Sequence, residues 1–158
     1  MGGWIKLSLI VVGFIVFKFF LSAVLSGSME HNAPDDYTSW WDKHEDFYNN
    51  KNISLQQFQE FPFQNGIKTG DVVFMTLHKN PEIGDVISFK SGNRRILHRV
   101  VSIDPLETKG DNNDGQSPID LNINKNDVIG KAWGRVSYVG YIKIGVNKIF
   151  GYFFKQST

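Results

Sequence analysis

The chain has 158 residues, which allows one compact domain and little else. Its formal net charge is +1 and 21% of its residues are charged, which excludes a disordered polyelectrolyte and a protein that binds nucleic acid through bulk charge. It contains no cysteine, and this excludes thiol nucleophiles, disulfides, thiolate zinc sites and iron–sulfur clusters.

The segment from Trp4 to Leu25 is apolar apart from Lys6, Lys18 and two serines. As a helix it would be roughly 33 Å long, enough to cross a hydrocarbon core of about 30 Å. We therefore predict a single membrane anchor over residues 1–25. A cleaved signal peptide is the alternative, but the apolar core of such a peptide is usually shorter, about 7 to 15 residues.

The distribution of charge indicates the orientation of this anchor. Residues 1–26 carry two lysines and no acid, whereas residues 28–66 carry seven acids and two lysines. The positive-inside rule then keeps the N-terminus in the cytoplasm and places the working domain, residues 26–158, on the outer side of the cell membrane. An N-glycosylation sequon that begins at Asn52 is consistent with that side.

Residues 31–65 are rich in aromatic and acidic side chains and lack regular alternation, so we interpret them as an insertion or lid. A short helix is expected over residues 37–48, with Thr38 or Ser39 as its N-cap. The apolar surface of that helix would comprise Trp40, Trp41, Phe47 and Tyr48.

Beyond the insertion, apolar residues alternate with a period of two in runs bounded by turn residues. Four strands are predicted, over residues 71–77, 85–90, 95–103 and 128–139. Short strands at this spacing predict a mainly β domain, built as a small β-barrel or sandwich. The tail, residues 141–158, mixes lysines with apolar side chains, which suits either a membrane-interfacial helix or a final strand with a frayed end.

Ser28 lies three residues beyond the predicted anchor, so a nucleophile there would act on substrates where they emerge from the bilayer. A serine nucleophile needs a base, and we choose His98 because a strand would hold its imidazole rigidly. We interpret the other histidines as solvated residues: His31, His44 and His78. No HExxH spacing occurs, and we expect neither a metal nor a cofactor.

A polar cluster runs from Thr108 to Asp114 and is followed by Asp120. One interpretation is an ordinary polar turn, because asparagine, aspartate and glycine are typical turn residues. The other is a source of the carboxylate that orients the base and stabilises its imidazolium form in a Ser-His-Asp set.

Taken together, the order of these blocks resembles signal peptidase I, in the archaeal and endoplasmic-reticulum branch where histidine replaces the lysine base of the bacterial enzymes. An apolar span leads into SGSME, followed in order by GDVISF, ILHRVV, TKGDNN and GKAWGRVSYVGYIK. The resemblance covers most of the chain except residues 31–65, and it implies a β-rich fold. The chain departs from the usual Met-Glu-Pro after the nucleophile, since Glu30 is followed by His31.

The resemblance implies that Ser28 is the nucleophile and His98 the general base, with Asp111 supporting or orienting that base. A second functional aspartate is expected downstream. Asp120 is our choice, and Asp114 is the alternative because the intervening loop is longer in this chain.

Two further roles follow from the same resemblance. Related enzymes use a hydroxyl two residues before the nucleophile, which assigns Ser26 to the oxyanion hole beside the Ser28 backbone N–H. Lys109, although a lysine close to the site motifs, is interpreted as structural in this branch.

The implied activity is that of a membrane-bound serine endopeptidase that removes N-terminal signal peptides from exported proteins. The expected partners are secretory preproteins with small residues near the cut site and the lipid bilayer, with the protein-translocation machinery as a candidate. One alternative is a catalytically silent accessory or pseudo-peptidase subunit. The other is a related serine peptidase that cleaves itself or processes pilins.

Overall fold

The computed structural model describes residues 21–24, 26–31, 37–77 and 80–137. His78 and the predicted tail, residues 141–158, lie outside this part of the chain. The described elements are, in chain order, β1 (Leu21–Ala23), α1 (Tyr37–Asn50), α2 (Leu55–Gln59), β2 (Val72–Thr76), β3 (Val86–Ser91), β4 (Arg94–Ile103), β5 (Leu106–Lys109) and β6 (Val128–Val136). Single 3-10 turns occur at Gly27–Met29, Pro118–Asp120 and Lys125–Asp127.

The six strands form one antiparallel sheet in the order β1-β2-β6-β3-β4-β5. The prediction of a mainly β protein is confirmed. The strands that the structure describes form a single sheet with β1 and β5 at its edges, and not the two sheets of a sandwich. The two helices supply the layer that a second sheet would have supplied in a sandwich.

The four predicted strands correspond to β2, β3, β4 and β6. The sequence prediction missed β5, which is short and consists of Leu106-Glu107-Thr108-Lys109. It pairs with β4 in a tight hairpin, where Arg99 lies opposite Lys109. Three of its four side chains are buried, including those of a threonine and a lysine, although β5 lies at the edge of the sheet.

The predicted anchor helix, residues 1–25, extends too far along the chain. Leu21–Ala23 is not helical but pairs with β2, with Ala23 opposite Val72. Val24 extends the pairing through hydrogen bonds of 2.9 Å and 3.0 Å with the backbones of Asp71 and Gly70. The remainder of the predicted span lies outside the described residues, and among those that are described no helix is long and apolar enough to cross a bilayer.

The segment interpreted as an insertion or lid is a packed layer. Helices α1 and α2 bury an aromatic cluster against β4, composed of Trp40, Trp41, Tyr48, Ile53, Phe58 and Val101. The predicted helix is therefore found and is longer than expected. Thr38 and Ser39 lie inside α1, so neither is its N-cap. Helix α2 begins at a capping box, in which Ser54 Oγ accepts a hydrogen bond from the Gln57 backbone at 3.3 Å.

Both faces of the central strands are covered. Val86 packs in one cluster with Val24, Met29, Ile67, Val73, Met75 and Ala132. Its neighbour Ile87 packs in another, with Phe89, Val100, Leu106 and Val128. Successive strand side chains point to opposite faces, so β3 is buried without interruption over residues 86–89 and β4 over residues 98–101. The site described below is built on the same alternation.

Helices α1 and α2 with their buried aromatic cluster, called the aromatic layer below, should contribute directly to stability. Phe58→Ala removes a fully buried ring from the cluster, and we expect the free energy of unfolding to fall by about 3–5 kcal/mol. The matched control is Gln59→Ala, an exposed residue of the same helix, which should change it by less than about 0.5 kcal/mol. Urea denaturation measures both. A loss below about 1 kcal/mol for Phe58→Ala would contradict a core role and favour the lid interpretation.

Candidate active site

Ser28 lies in the 3-10 turn Gly27–Met29, directly after the edge strand β1. The turn is anchored by Met29, whose side chain is buried and whose carbonyl accepts a hydrogen bond from Ile67 N at 2.7 Å. Glu30 adds a second anchor, because its carboxylate accepts a 2.6 Å bond from Thr69 N. Hydrogen bonds from the side chain and then the backbone of Thr69 lower the pKa of Glu30. Ser28 is therefore held on a short, rigid turn and remains half-buried.

His98 faces this turn from the middle of β4. Its Nε2 atom lies 3.2 Å from Ser28 Oγ, although 70 residues separate the two in sequence. The imidazole is buried, and the ring of Phe89 lies beside it at 6.5 Å. Packing on a strand fixes the ring orientation, as expected for a base that must meet one particular hydroxyl.

Asp120 lies behind His98. Its Oδ1 is 2.6 Å from His98 Nδ1 and accepts a 2.7 Å bond from Thr108 Oγ1. Its Oδ2 accepts bonds from Ser117 N at 3.0 Å and Ser117 Oγ at 2.8 Å. Burial alone would raise the pKa of Asp120, but the hydrogen bond and charge of His98, with the other donors, lower it. An ionised carboxylate only accepts, so His98 Nδ1 carries a proton, and in the neutral imidazole Nε2 is the acceptor that faces the Ser28 hydroxyl.

Thr108 and Ser117 are site residues that the sequence analysis did not single out. Thr108 was included only as the start of a polar cluster, and its side chain is fully buried against Asp120. Ser117 had a readable signal, because Ser-Pro-Ile-Asp has the spacing of a capping box. That spacing alone does not reveal that the capping carboxylate of Asp120 also accepts a hydrogen bond from His98.

Asp111 does not orient His98, and the expected role is corrected. Its carboxylate is engaged by Arg99, whose Nε and Nη2 donate to its two oxygens at 2.9 Å and 2.7 Å. Tyr48 Oη donates a further bond at 3.2 Å, and His31 Nε2 lies 3.3 Å from Oδ2. Asp111 is thus a buried anchor for the loop that follows β5.

The pKa of Asp111 reflects this environment. Complete burial would raise it, but the positive charge of Arg99 and the hydrogen bonds from His31 and Arg99 hold it well below its usual value. Asp114, the alternative second aspartate, is exposed and lies 3.2 Å from Lys43 Nζ. Of the three candidates, only Asp120 therefore contacts His98.

His31 and His44 are not solvated, contrary to expectation. Both are buried in the aromatic layer, where Trp40 stacks on His31 at 3.7 Å and on His44 at 4.8 Å between ring centroids. His44 Nδ1 donates to the Trp40 carbonyl at 2.8 Å, and burial lowers the pKa of His44. The sequence prediction failed because aromatic residues at helical spacing enclose side chains that a polar segment would expose.

Lys109 is completely buried, in agreement with a structural role. Its ammonium lies 5.2 Å from the ring centres of both Phe47 and Tyr48. It donates to the carbonyls of Gly110 and Asp111 at 3.2 Å and 3.3 Å. Burial lowers the pKa of Lys109 to about 8. Lys109 lies opposite Arg99 and packs with it against the aromatic layer, whereas His98 contacts Ser28 and Asp120.

Gly110 lies where His98 and the Ser28 turn pack closely together, and this packing leaves no room for a side chain. A Cβ atom at this position would lie 2.8 Å from His98 Nε2 and 2.8 Å from the Ser28 carbonyl oxygen. Contacts that short do not occur for real Cβ atoms, so any larger residue would push the base and the nucleophile apart. The absence of a side chain here therefore permits the short Ser28–His98 distance.

The proposed oxyanion donors belong to the turn that carries Ser28 and to the residue before that turn. The first N–H groups of a helical turn have no acceptor within the turn, and the side chain of Ser26 does not cap them. The Ser28 N–H is therefore available to an external oxygen. Ser26 Oγ is exposed and lies 3.3 Å from Ser28 Oγ, so its hydroxyl is beside the same reaction centre. Among the described residues, no cluster of three or more metal-ligating side chains occurs.

Comparison with known proteins adds no relative: no family model, no curated protein and no solved structure matches the chain. The chemistry of the site therefore rests on its own geometry.

The buried Lys109 generates a prediction for stability against pH. The folded protein releases this proton near pH 8, whereas an ordinary lysine releases it near 10.5. Between these values the unfolded state holds more protons, so raising the pH favours the folded state. We expect the stability of the native chain relative to Lys109→Met to increase from pH 8 to pH 10, measured by urea denaturation. Lys90→Met, which removes an exposed lysine from β3, is the control. A difference that does not change with pH would contradict the prediction.

Proposed function

We propose that this chain is a membrane-anchored serine endopeptidase that cleaves N-terminal signal peptides from exported proteins. The observation that carries the proposal is the hydrogen-bonded series Ser28, His98 and Asp120, with distances of 3.2 Å and 2.6 Å. Nucleophile, base and orienting acid stand in the order that acyl transfer requires. An accessory subunit with no catalytic function would have no need of this alignment.

In the proposed mechanism, the substrate carbonyl lies against the Ser28 turn. His98 Nε2 removes the hydroxyl proton as Ser28 Oγ attacks, and the ionised Asp120 stabilises the imidazolium that forms. The tetrahedral oxyanion accepts from the Ser28 N–H and the Ser26 hydroxyl. His98 then protonates the leaving amine, and a water molecule activated by His98 hydrolyses the acyl-enzyme.

The proposed substrate class depends on the position of Ser28 in the chain. The nucleophile follows the apolar segment Trp4–Leu25 by three residues, and the last part of that segment, β1, already belongs to the sheet that carries the site. With an anchor formed by the apolar residues before Leu21, the site lies at the outer surface of the bilayer, where a signal peptide ends and the mature protein begins. We therefore propose secretory preproteins with small residues near the cut site as substrates, and the protein-translocation machinery as a candidate partner.

The decisive test is cleavage of a radiolabelled secretory precursor by the full chain in detergent, compared with Ser28→Ala at equal loading. The expected result is a correctly sized mature product from the native chain and a loss of at least about 10³-fold in the variant. Equal processing by both proteins would exclude Ser28 as the nucleophile. No processing of several precursors by a folded native chain would favour the accessory-subunit alternative.

A second test separates the downstream aspartates. Asp120→Asn keeps the shape of the side chain, but an amide has only one acceptor oxygen and cannot accept from His98 and from Ser117 on two oxygens as the carboxylate does. His98 therefore loses the partner that fixes its tautomer and stabilises its positive charge. We expect kcat/KM to fall on the order of 10³ to 10⁴-fold. Asp114→Asn, which changes an exposed carboxylate, is the matched control and should remain within about twofold of the native chain. Similar losses in both variants would remove Asp120 from the proposed triad.

A further inference from the structure

Asn112 contacts the nucleophile turn through two groups of a single residue. Its backbone N–H donates to the Ser28 carbonyl at 2.8 Å, and its Nδ2 donates to the Gly27 carbonyl at 3.1 Å. Both acceptors are carbonyl oxygens, so the side-chain atom that faces Gly27 is the amide nitrogen. In the sequence, Asn112 stands out only as a member of the polar cluster from Thr108 to Asp114.

The bond to Gly27 has a consequence for Ser28. The Gly27 carbonyl and the Ser28 N–H belong to one planar trans peptide unit, in which C=O and N–H point in opposite directions. A donor that fixes the carbonyl therefore also fixes the direction of the N–H. Glu30 N donates to the same carbonyl at 3.1 Å, so this oxygen is held by two donors. The Ser28 N–H is consequently aimed away from Asn112.

Asn112 is itself rigidly supported. The preceding residue, Asp111, is completely buried and bonded to Arg99, and the carbonyls of Gly110 and Asp111 accept hydrogen bonds from the buried Lys109. Asn113 N closes the turn by donating to the Gly110 carbonyl at 2.9 Å. The buried residues therefore hold Asn112 in a fixed position relative to Ser28.

We propose that Asn112 is a positioning residue that preorganises the oxyanion hole, by holding the Gly27–Ser28 peptide plane so that the Ser28 N–H faces the developing negative charge. This inference rests on the proposed function and deepens it. It assigns to Asn112 an effect on the transition state and not on substrate binding, because preorganised donors act where charge develops.

The test compares Asn112→Ala and Asn112→Asp with the native chain, using steady-state cleavage of a precursor peptide by the full chain in detergent. The alanine variant removes the side-chain donor and keeps the backbone bond to Ser28. The aspartate variant keeps the shape but presents an acceptor to the Gly27 carbonyl. We expect kcat to fall about 10- to 100-fold in each, with KM within about twofold, since one oxyanion donor contributes about 10²–10³-fold.

The matched control is Asn124→Ala. Asn124 also fixes a turn through its side chain, accepting from Asn126 N at 2.9 Å, but it belongs to the 3-10 turn before β6. We expect this variant to retain the native kcat while its thermal unfolding midpoint shifts about as much as that of Asn112→Ala. A merely structural role for Asn112 would instead lower the apparent kcat only in proportion to the loss of folded protein, so kcat per mole of folded protein, with the folded fraction measured by circular dichroism, would equal that of the native chain.

The outcomes separate the two proposals. If Ser28→Ala abolishes cleavage while both Asn112 variants keep kcat within about twofold, the positioning role is overturned and the proposed function stands. A rise in KM without a fall in kcat, or failure of both variants to fold, also overturns the positioning role. If native protein and Ser28→Ala are equally active or equally inactive, the proposed function fails, and the inference about Asn112 fails with it.

Discussion

The site depends on one buried interaction, the ion pair between Arg99 and Asp111. All five N–H donors of the Arg99 guanidinium are used: two bind Asp111, and the other three bonds go to the carbonyls of Pro62, Phe63 and Gly84. A buried pair of this kind adds little net stability compared with apolar packing, but loss of one partner costs about 3–5 kcal/mol because the other charge stays buried. Its value is positional, since it joins β4 to three separate loops.

The aromatic layer is connected to the candidate catalytic site through the same carboxylate. Tyr48 of α1 and His31, which follows the nucleophile turn, both contact Asp111, and Arg99 lies 4.8 Å from the ring centre of Phe58. The segment interpreted as an insertion therefore supports the loop after β5. Because interiors are close-packed and transmit strain, a change in this layer would reach Ser28 through that loop.

Much of this arrangement was readable from the sequence, and the failures have physical causes. The strand pattern bounded by turn residues located four of the six strands, although burial alternates with a period of two only in β2 and the first part of β6, whereas β3 and β4 are buried on both faces. It missed β5, whose buried Thr108 and Lys109 satisfy partners that only tertiary structure reveals. The length of the apolar run, from which the anchor was predicted, extended the helix through Leu21–Ala23, although apolar residues suit a strand equally well when they can pair with the edge of β2. Ser28 and His98 were found by motif order, whereas the roles of Asp111 and Asp120 required coordinates.

Asp120 contacts His98 and Asp111 contacts Arg99 because of the pleat of β4. His98 and Arg99 are consecutive, so their side chains leave opposite faces of the sheet, and each meets a different carboxylate. Thr108 and Lys109 repeat the division on β5, where the threonine binds Asp120 and the lysine supports the backbone beside Asp111. A shift of β4 by one residue relative to β3 and β5 would place the Arg99 guanidinium on the face of Ser28 and the His98 imidazole on the face of the aromatic rings. The buried Arg99 opposes that shift, because the fixed fork of its donors fits only the three loops that surround it. The charge on one face of the strand thereby keeps the proposed base on the other face aligned with Ser28.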